Sequence, residues 1–239
     1  MADVGMDRPA RFMVVTPHPD DGEIGCGGTT AGWIAEGSTG VYVVCTNGDK
    51  GTSDPDMTSE RLAAIREEEQ RQAAAVLGVK DVVYLRHPDG GLEDTSEFRG
   101  QLVRAIRRYQ PDLLLCTDPF RRSFYLHRDH RVCGQVALDA VFPYSRDRLH
   151  YPEHIEGEGL APHKVGDILL WGAEDPDLFI DITESIQKKI DALKKHASQV
   201  SSSESNRDVD EFIRSNAQRA GDRAEVPYAE AFRRIQIRR

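Results

Sequence analysis

The sequence predicts an α/β protein: a Rossmann-like, mostly parallel sheet with flanking helices and a C-terminal strand and helix extension. Three observations carry that prediction. Short apolar runs recur as strand candidates, segments of helical length separate them, and turns rich in Gly, Pro and Asp follow the strands. That alternation is the signature of βαβ units.

The first apolar run, residues 12–15, reads as a short buried strand. A polar, Gly-rich turn follows, and then a helix over residues 30–36 stopped by Gly37. Residues 41–46 form the second strand, with Asn47-Gly48 and Lys50-Gly51 marking a loop at its end. Thr58 or Ser59 caps a helix running to Leu77, with Glu60 in its first turn and Gly78 past its end. Leu62, Ile65, Ala73 and Val76 fall on roughly one face of it. Arg66 and Glu69, one turn apart at the edge of that face, read from spacing alone as a surface pair.

Residues 82–85 are the third strand, followed by Arg86-His87-Pro88-Asp89-Gly90-Gly91, in which Pro-Asp-Gly is equally an ordinary turn. Residues 97–109 form an amphipathic helix through Phe98, Leu102, Ala105 and Ile106, closed by Pro111 ahead of the fourth strand, 113–117. Residues 132–141 predict a helix whose start presents His127 to His130. The stretch 146–164 is loop-like, and its His150, His154 and His163 read as surface or loop histidines. Two further strands, 168–171 and 178–181, precede a helix capped by Thr183 that carries Ile186, Ile190 and Leu193 and ends near His196. From the Ser201-Ser202-Ser203 run onward the chain is polar, with a short helix around Phe212 and Ile213.

A chain of 239 residues can bury a substantial core, and its formal charge of −9 argues against nucleic acid or an anionic membrane as main partner. No apolar run is long enough to span a bilayer, and the N-terminus shows no signal-peptide pattern. Cys26, Cys45, Cys116 and Cys133 have no close pair spacing, which suits a reducing, cytoplasmic setting.

Function is concentrated in Thr16-Pro17-His18-Pro19-Asp20-Asp21-Gly22-Glu23, which leaves the first strand where open α/β sheets bind ligands. His18 and Asp21, three residues apart, can grip one metal ion from a tight turn, leaving Asp20 beside it as a base. Alone, the turn is equally a helix cap. A second cluster, Tyr125-Leu126-His127-Arg128-Asp129-His130, favours the metal reading.

Together with the Gly-rich stretch to Thr29, these two motifs resemble those of the PIG-L or LmbE-like de-N-acetylases. The likeness continues through Thr46-Asn47-Gly48-Asp49-Lys50-Gly51-Thr52, Arg66 to Glu69, Pro88-Asp89-Gly90 and Lys195-His196-Ala197-Ser198-Gln199, most of residues 11–200. The resemblance implies a zinc hydrolase that removes acetyl groups from N-acetylglucosamine-type sugars or conjugates. It implies His18, Asp21 and His130 as metal ligands, leaving positions open for water and substrate. Asp20 would be the general base, and His127 the oxyanion donor and the acid for the leaving amine. Asp129 would orient and charge His127, and Tyr125 would add a hydrogen bond to the oxyanion. Arg66, held by Glu69, and Asp89 would contact substrate. It implies one LmbE-like catalytic domain over residues 1–200, with 201–239 a polar tail packed on the domain or on a partner subunit. A homo-oligomer fits such a tail. Specificity is expected in loops 53–57 and 146–164. Many relatives carry an acidic residue directly after the two Asp residues; here Gly22 intervenes before Glu23.

Rival readings fare less well. A dinucleotide fingerprint fails, because Thr30 replaces the third glycine and no acidic residue closes the second strand. Non-haem Fe(II) oxygenases use two His and one carboxylate, but here the His-x-x-Asp spacing sits in a strand-to-helix turn of a βαβ pattern, which does not point to that chemistry. A non-hydrolytic Rossmann-type binding protein with a metal site is the remaining alternative.

Overall fold

Eight strands form one sheet in the order β1-β7-β8-β6-β5-β2-β3-β4. The strands are β1 (Asp3–Val4), β2 (Arg11–Thr16), β3 (Thr39–Thr46), β4 (Asp81–His87), β5 (Leu113–Thr117), β6 (Asp167–Trp171), β7 (Leu178–Asp181) and β8 (Ala229–Gln236). The longer helices are α1 (Asp21–Ala35), α2 (Ser59–Leu77), α3 (Ser96–Tyr109), α4 (Arg128–Asp139), α6 (Ile186–Leu193) and α8 (Val209–Ala224); α5 (Pro152–Glu156) and α7 (Ala197–Val200) are short. The computed structural model describes residues 3–123, 125–200 and 208–237. No helix among them is long and apolar enough to cross a membrane.

The parallel core β3-β2-β5-β6 follows from the sequence. Its strands are near-continuous apolar runs because helices cover both faces, and from Phe12, Met13 and Val14 across to Leu114 and Leu169 they are essentially solvent-free. The two edges are blunted differently: β4 is only half-buried and carries Arg86, while β1 is two residues long. α2 matches its sequence signals, with Thr58 Oγ1 accepting from Arg61 N–H and left-handed Gly78 ending the helix.

Several expectations are corrected. α1 begins at Asp21, nine residues before the expected helix, and bends at Cys26 (φ −147°). Thr183 does not cap α6; it bonds Asp181, and Ser185 occupies the cap position. His154 is buried (1% exposed), stacked on Tyr151. The C-terminal stretch is a sixteen-residue helix, α8, followed by β8, an antiparallel strand set between β6 and β7. Its charged residues hid it, and each finds a remote partner: Glu230 with Lys189, Arg233 with Asp175 and Arg234 with Asp167.

The loop 146–164 is tied along α3, where buried Arg107 donates to the carbonyls of Tyr144, Ser145, Asp147, His150 and Tyr151. His163 bonds Pro111 O, just before β5 begins. The loop therefore braces the start of a strand, while the site described below lies where strands end.

Candidate metal centre

β2 ends at Thr16 and α1 starts at Asp21, so the intervening turn must reverse the chain within four residues. Asp20 takes up the change of direction. Its φ of 98° lies in a region L-residues rarely adopt, at a cost of about 1–3 kcal/mol that neighbouring contacts must offset. It stands at the N-cap of α1 but caps nothing with its side chain. Its carboxylate instead turns into the site.

His18 is buried and sits among carboxylates. Its Nδ1 lies 3.0 Å from Asp21 Oδ2, and its Nε2 lies 3.0 Å from Asp89 Oδ1 and 3.1 Å from Asp129 Oδ2. Burial opposes its charge, but Asp129, Asp21 and Asp89 outweigh burial and lift its pKa to about 12. The pocket thus demands positive charge. Asp21 Oδ2 also lies 3.1 Å from His130 Nε2. Burial raises the Asp21 pKa, but His130 and His18 together hold it far below the usual carboxylate range.

His130 comes from the first turn of α4 and is 3% exposed. Its Nδ1 is 3.4 Å from Thr117 Oγ1 at the end of β5, while its Nε2 has no hydrogen-bond partner among the described residues. A buried ring nitrogen within 3.1 Å of a carboxylate oxygen yet outside hydrogen-bond geometry suits two donors that share one cation. The ligand atoms of His18, His127 and His130 lie within 4.8 Å of one another, as do those of His18, Asp89, His127 and Asp129. This His/Asp cluster can bind a metal ion.

His127 caps α4 through its ring: Nδ1 accepts from the Asp129 backbone N–H at 3.2 Å. The proton of the neutral ring is therefore on Nε2. Burial and the charge of His18 lower the His127 pKa, with Asp129 opposing. The Asp129 carboxylate was expected to orient His127, but it bonds His18 and accepts from Gly90 N–H (2.7 Å) and Leu92 N–H (3.2 Å). Its backbone, not its side chain, holds His127. Tyr125, at φ 49° and 54% exposed, stands at the mouth with its ring 5.0 Å from that of His130.

Residues 13–141, more than half of the chain, match the PIG-L family, described as GlcNAc-PI de-N-acetylase. The chain belongs to the PIG-L family. It is 33% identical over 189 residues to a diacetylchitobiose deacetylase of Thermococcus kodakarensis, covering 79% of this chain and 70% of that one. It is 28% identical to a 1D-myo-inositol 2-acetamido-2-deoxy-alpha-D-glucopyranoside deacetylase of a Nocardioides species, covering 80% and 83%. The solved N,N'-diacetylchitobiose deacetylase of Pyrococcus horikoshii, complexed with its inhibitor MPG, superposes with a TM-score of 0.86 at 31% identity, covering 95% of this chain and 84% of that one.

The other residues singled out in the sequence make the following contacts, of which the Arg66–Glu69 pairing differs from expectation. Arg66 is 4% exposed, and its guanidinium donates to Pro19 O (2.6 Å), Gly48 O (3.0 Å) and Asp20 Oδ2 (3.3 Å). Gly48 has φ 62°, and a Cβ there would sit 2.6 Å from that guanidinium, so glycine serves both the turn and the close approach. Glu69 does not hold Arg66; it accepts from Ser198 N–H and Oγ, tying α2 to α7. Asp89 lies against His18, and its Oδ2 accepts from Lys50 N–H at 3.4 Å. Burial pushes Asp20 up to about 6, with Asp21 adding to it and Arg66 opposing.

Gln70, Glu23 and His196 were not assigned roles from sequence, yet all three are wholly buried behind Asp20. For Gln70 the available signal was a polar residue on the inner face of α2, one turn from Arg66. Gly22 packs its backbone on the Tyr42 ring, where a Cβ would approach to 2.9 Å, and Glu23 points inward.

Proposed function

We propose that this protein is a zinc-dependent N-deacetylase that hydrolyses the acetamide of an N-acetylglucosamine-type sugar or conjugate. One observation carries the reading. Asp21 Oδ2 lies 3.0 and 3.1 Å from ring nitrogens of His18 and His130, while neighbouring Asp20 touches neither. The two adjacent carboxylates are thus divided between holding an ion and working beside it.

His18, Asp21 and His130 would hold the metal. Asp89 and Asp129 accept from His18 Nε2–H and so leave Nδ1 for the ion, the carboxylate–imidazole support usual at such sites. A zinc ion held there would supply a Lewis acid for the amide carbonyl and for a bound water, whose pKa such an ion brings to about 7. Asp20 takes the water's proton as it attacks, its pKa of about 6 keeping it ionised near neutrality. His127 donates Nε2–H to the developing oxyanion, with Tyr125 at the same mouth.

The geometry favours the donor role of His127 over the acid role. An imidazolium would set a proton on Nδ1 against the Asp129 N–H that it now accepts. The proton taken by Asp20 then serves the leaving nitrogen. Arg66 acts as a strut on the Asp20 turn, and Asp89 steadies His18 at the edge open to sugar hydroxyls.

The test is acetate release from N,N'-diacetylchitobiose and N-acetylglucosamine conjugates, with metal content measured in parallel. Asp20→Asn should keep the metal and lose about 10²–10⁴-fold in kcat, while Asp21→Ala should lose metal. A protein that takes up no divalent ion, or Asp20→Asn at the wild-type rate, overturns the reading.

A further inference from the structure

We infer that Gln70, braced by Glu23 and His196, is a positioning residue that fixes the left-handed backbone from which Asp20 enters the site. The inference rests on the deacetylase reading in assigning Asp20 as base.

One peptide group decides it. Arg66 Nη2 donates to Pro19 O at 2.6 Å, and Gln70 Oε1 accepts from Asp20 N–H at 3.1 Å. These are the two polar ends of the single Pro19–Asp20 peptide, clamped by residues one turn apart on α2. Holding that plane holds φ of Asp20 at 98°. An unclamped peptide would relax, and the carboxylate would swing with it.

The clamp has a defined polarity. A backbone N–H only donates, so the Gln70 oxygen must face Asp20 and its NH₂ must face away. That NH₂ donates to Glu23 Oε1 at 2.8 Å. Glu23 Oε2 lies 3.4 Å from His196 Nε2, with both side chains at 0% exposure. Neither His196 nitrogen has a hydrogen-bond partner among the described residues, and Glu23 is the carboxylate within ion-pair distance of its ring. A carboxylate and an imidazole buried together are costly to desolvate, and hydrophobic residues would serve packing as well. What this pair adds is a fixed acceptor for the Gln70 amide. His196, in the turn after α6, therefore reaches Asp20 through Glu23 on α1 and Gln70 on α2.

The experiment compares Gln70→Met in the wild-type and Asp20→Asn backgrounds. Gln70→Met should lower kcat about 10–10²-fold, the scale of a misplaced catalytic group, with KM and bound zinc unchanged. In Asp20→Asn it should cost nothing further, because the residue acts only through the Asp20 carboxylate. An equal loss in both backgrounds, or a change in KM alone, overturns the inference. His196→Leu should repeat the kcat loss, and His196→Gln, which keeps a donor for Glu23, should recover most of it. A crystal structure of Gln70→Met supplies a readout independent of turnover: an unmoved Asp20 backbone overturns the inference. Wild-type acetate release is the control, since its absence sinks the deacetylase reading while leaving that structural comparison to decide on Gln70.

Discussion

Arg66→Ala separates two accounts of one residue. If the guanidinium contacts sugar, its removal weakens KM and leaves the fold alone. The structure points elsewhere: Arg66 is 4% exposed and spends its donors on Pro19 O, Gly48 O and Asp20 Oδ2. Removing it strands two buried carbonyls at about 1–3 kcal/mol each, so at least about 2 kcal/mol together. For a chain of this size that is about 4–8 °C in Tm. It also removes the nearest positive charge opposing the rise of the Asp20 pKa, now at about 6. The sign follows: catalysis needs ionised Asp20, so the acidic limb of kcat/KM lies where Asp20 titrates. A bound cation lowers that limb, placing it at or below about pH 6 in wild type. Arg66→Ala moves it to higher pH, with zinc retained. Thermal melts, metal analysis and a pH–rate profile check all three. An Arg66→Ala protein with wild-type Tm, an unmoved acidic limb and only a raised KM refutes the strut and restores the sugar contact.

Two further outcomes are expected. His127→Ala should lower kcat about 10²–10³-fold with metal content unchanged, the usual loss of one oxyanion donor; His127→Gln, still a donor, should lose less, and equal losses would return the acid role to His127. Lys189→Met should destabilise by about 3–5 kcal/mol in denaturant melts, because Glu230 would keep a buried charge that now bonds Lys189 Nζ, Gly28 N–H and Thr29 N–H. Replacing both partners by Met should cost less than the single change, and a harmless Lys189→Met would show the pair to be dispensable.

The parallel core and both histidine motifs were legible because they are local: apolar runs of strand length, Thr58 and Gly78 as caps, and His18, Asp21 and His130 at fixed spacings. What escaped was decided by distant partners. β8 looked polar because its Glu230, Arg233 and Arg234 are read without the Lys189, Asp175 and Asp167 that satisfy them. Arg66 and Glu69 looked like a surface pair because spacing on α2 cannot show that the Pro19–Asp20 turn and Ser198 lie against them. The start of α1 escaped for a different reason. A non-glycine residue at φ 98° is disfavoured locally, so only the tertiary clamp makes Asp20 a helix cap.

That clamp also explains how two neighbouring aspartates come to differ. Along an ordinary turn, Asp20 and Asp21 would share an environment and titrate together. With Asp20 left-handed, Asp21 becomes the first residue of α1 and receives the His18 N–H at 3.2 Å together with the two imidazoles. Its carboxyl is held far below the usual carboxylate range by His130 and His18, against burial. Asp20 has no imidazole in contact among the described residues; burial and the charge of Asp21 drive its pKa up to about 6, with Arg66 the largest opposing influence. Environments that push two carboxylates apart in this way define which holds charge and which moves a proton. The division is set by backbone geometry at one residue, so restoring an ordinary φ at Asp20 should blur it even with every side chain present.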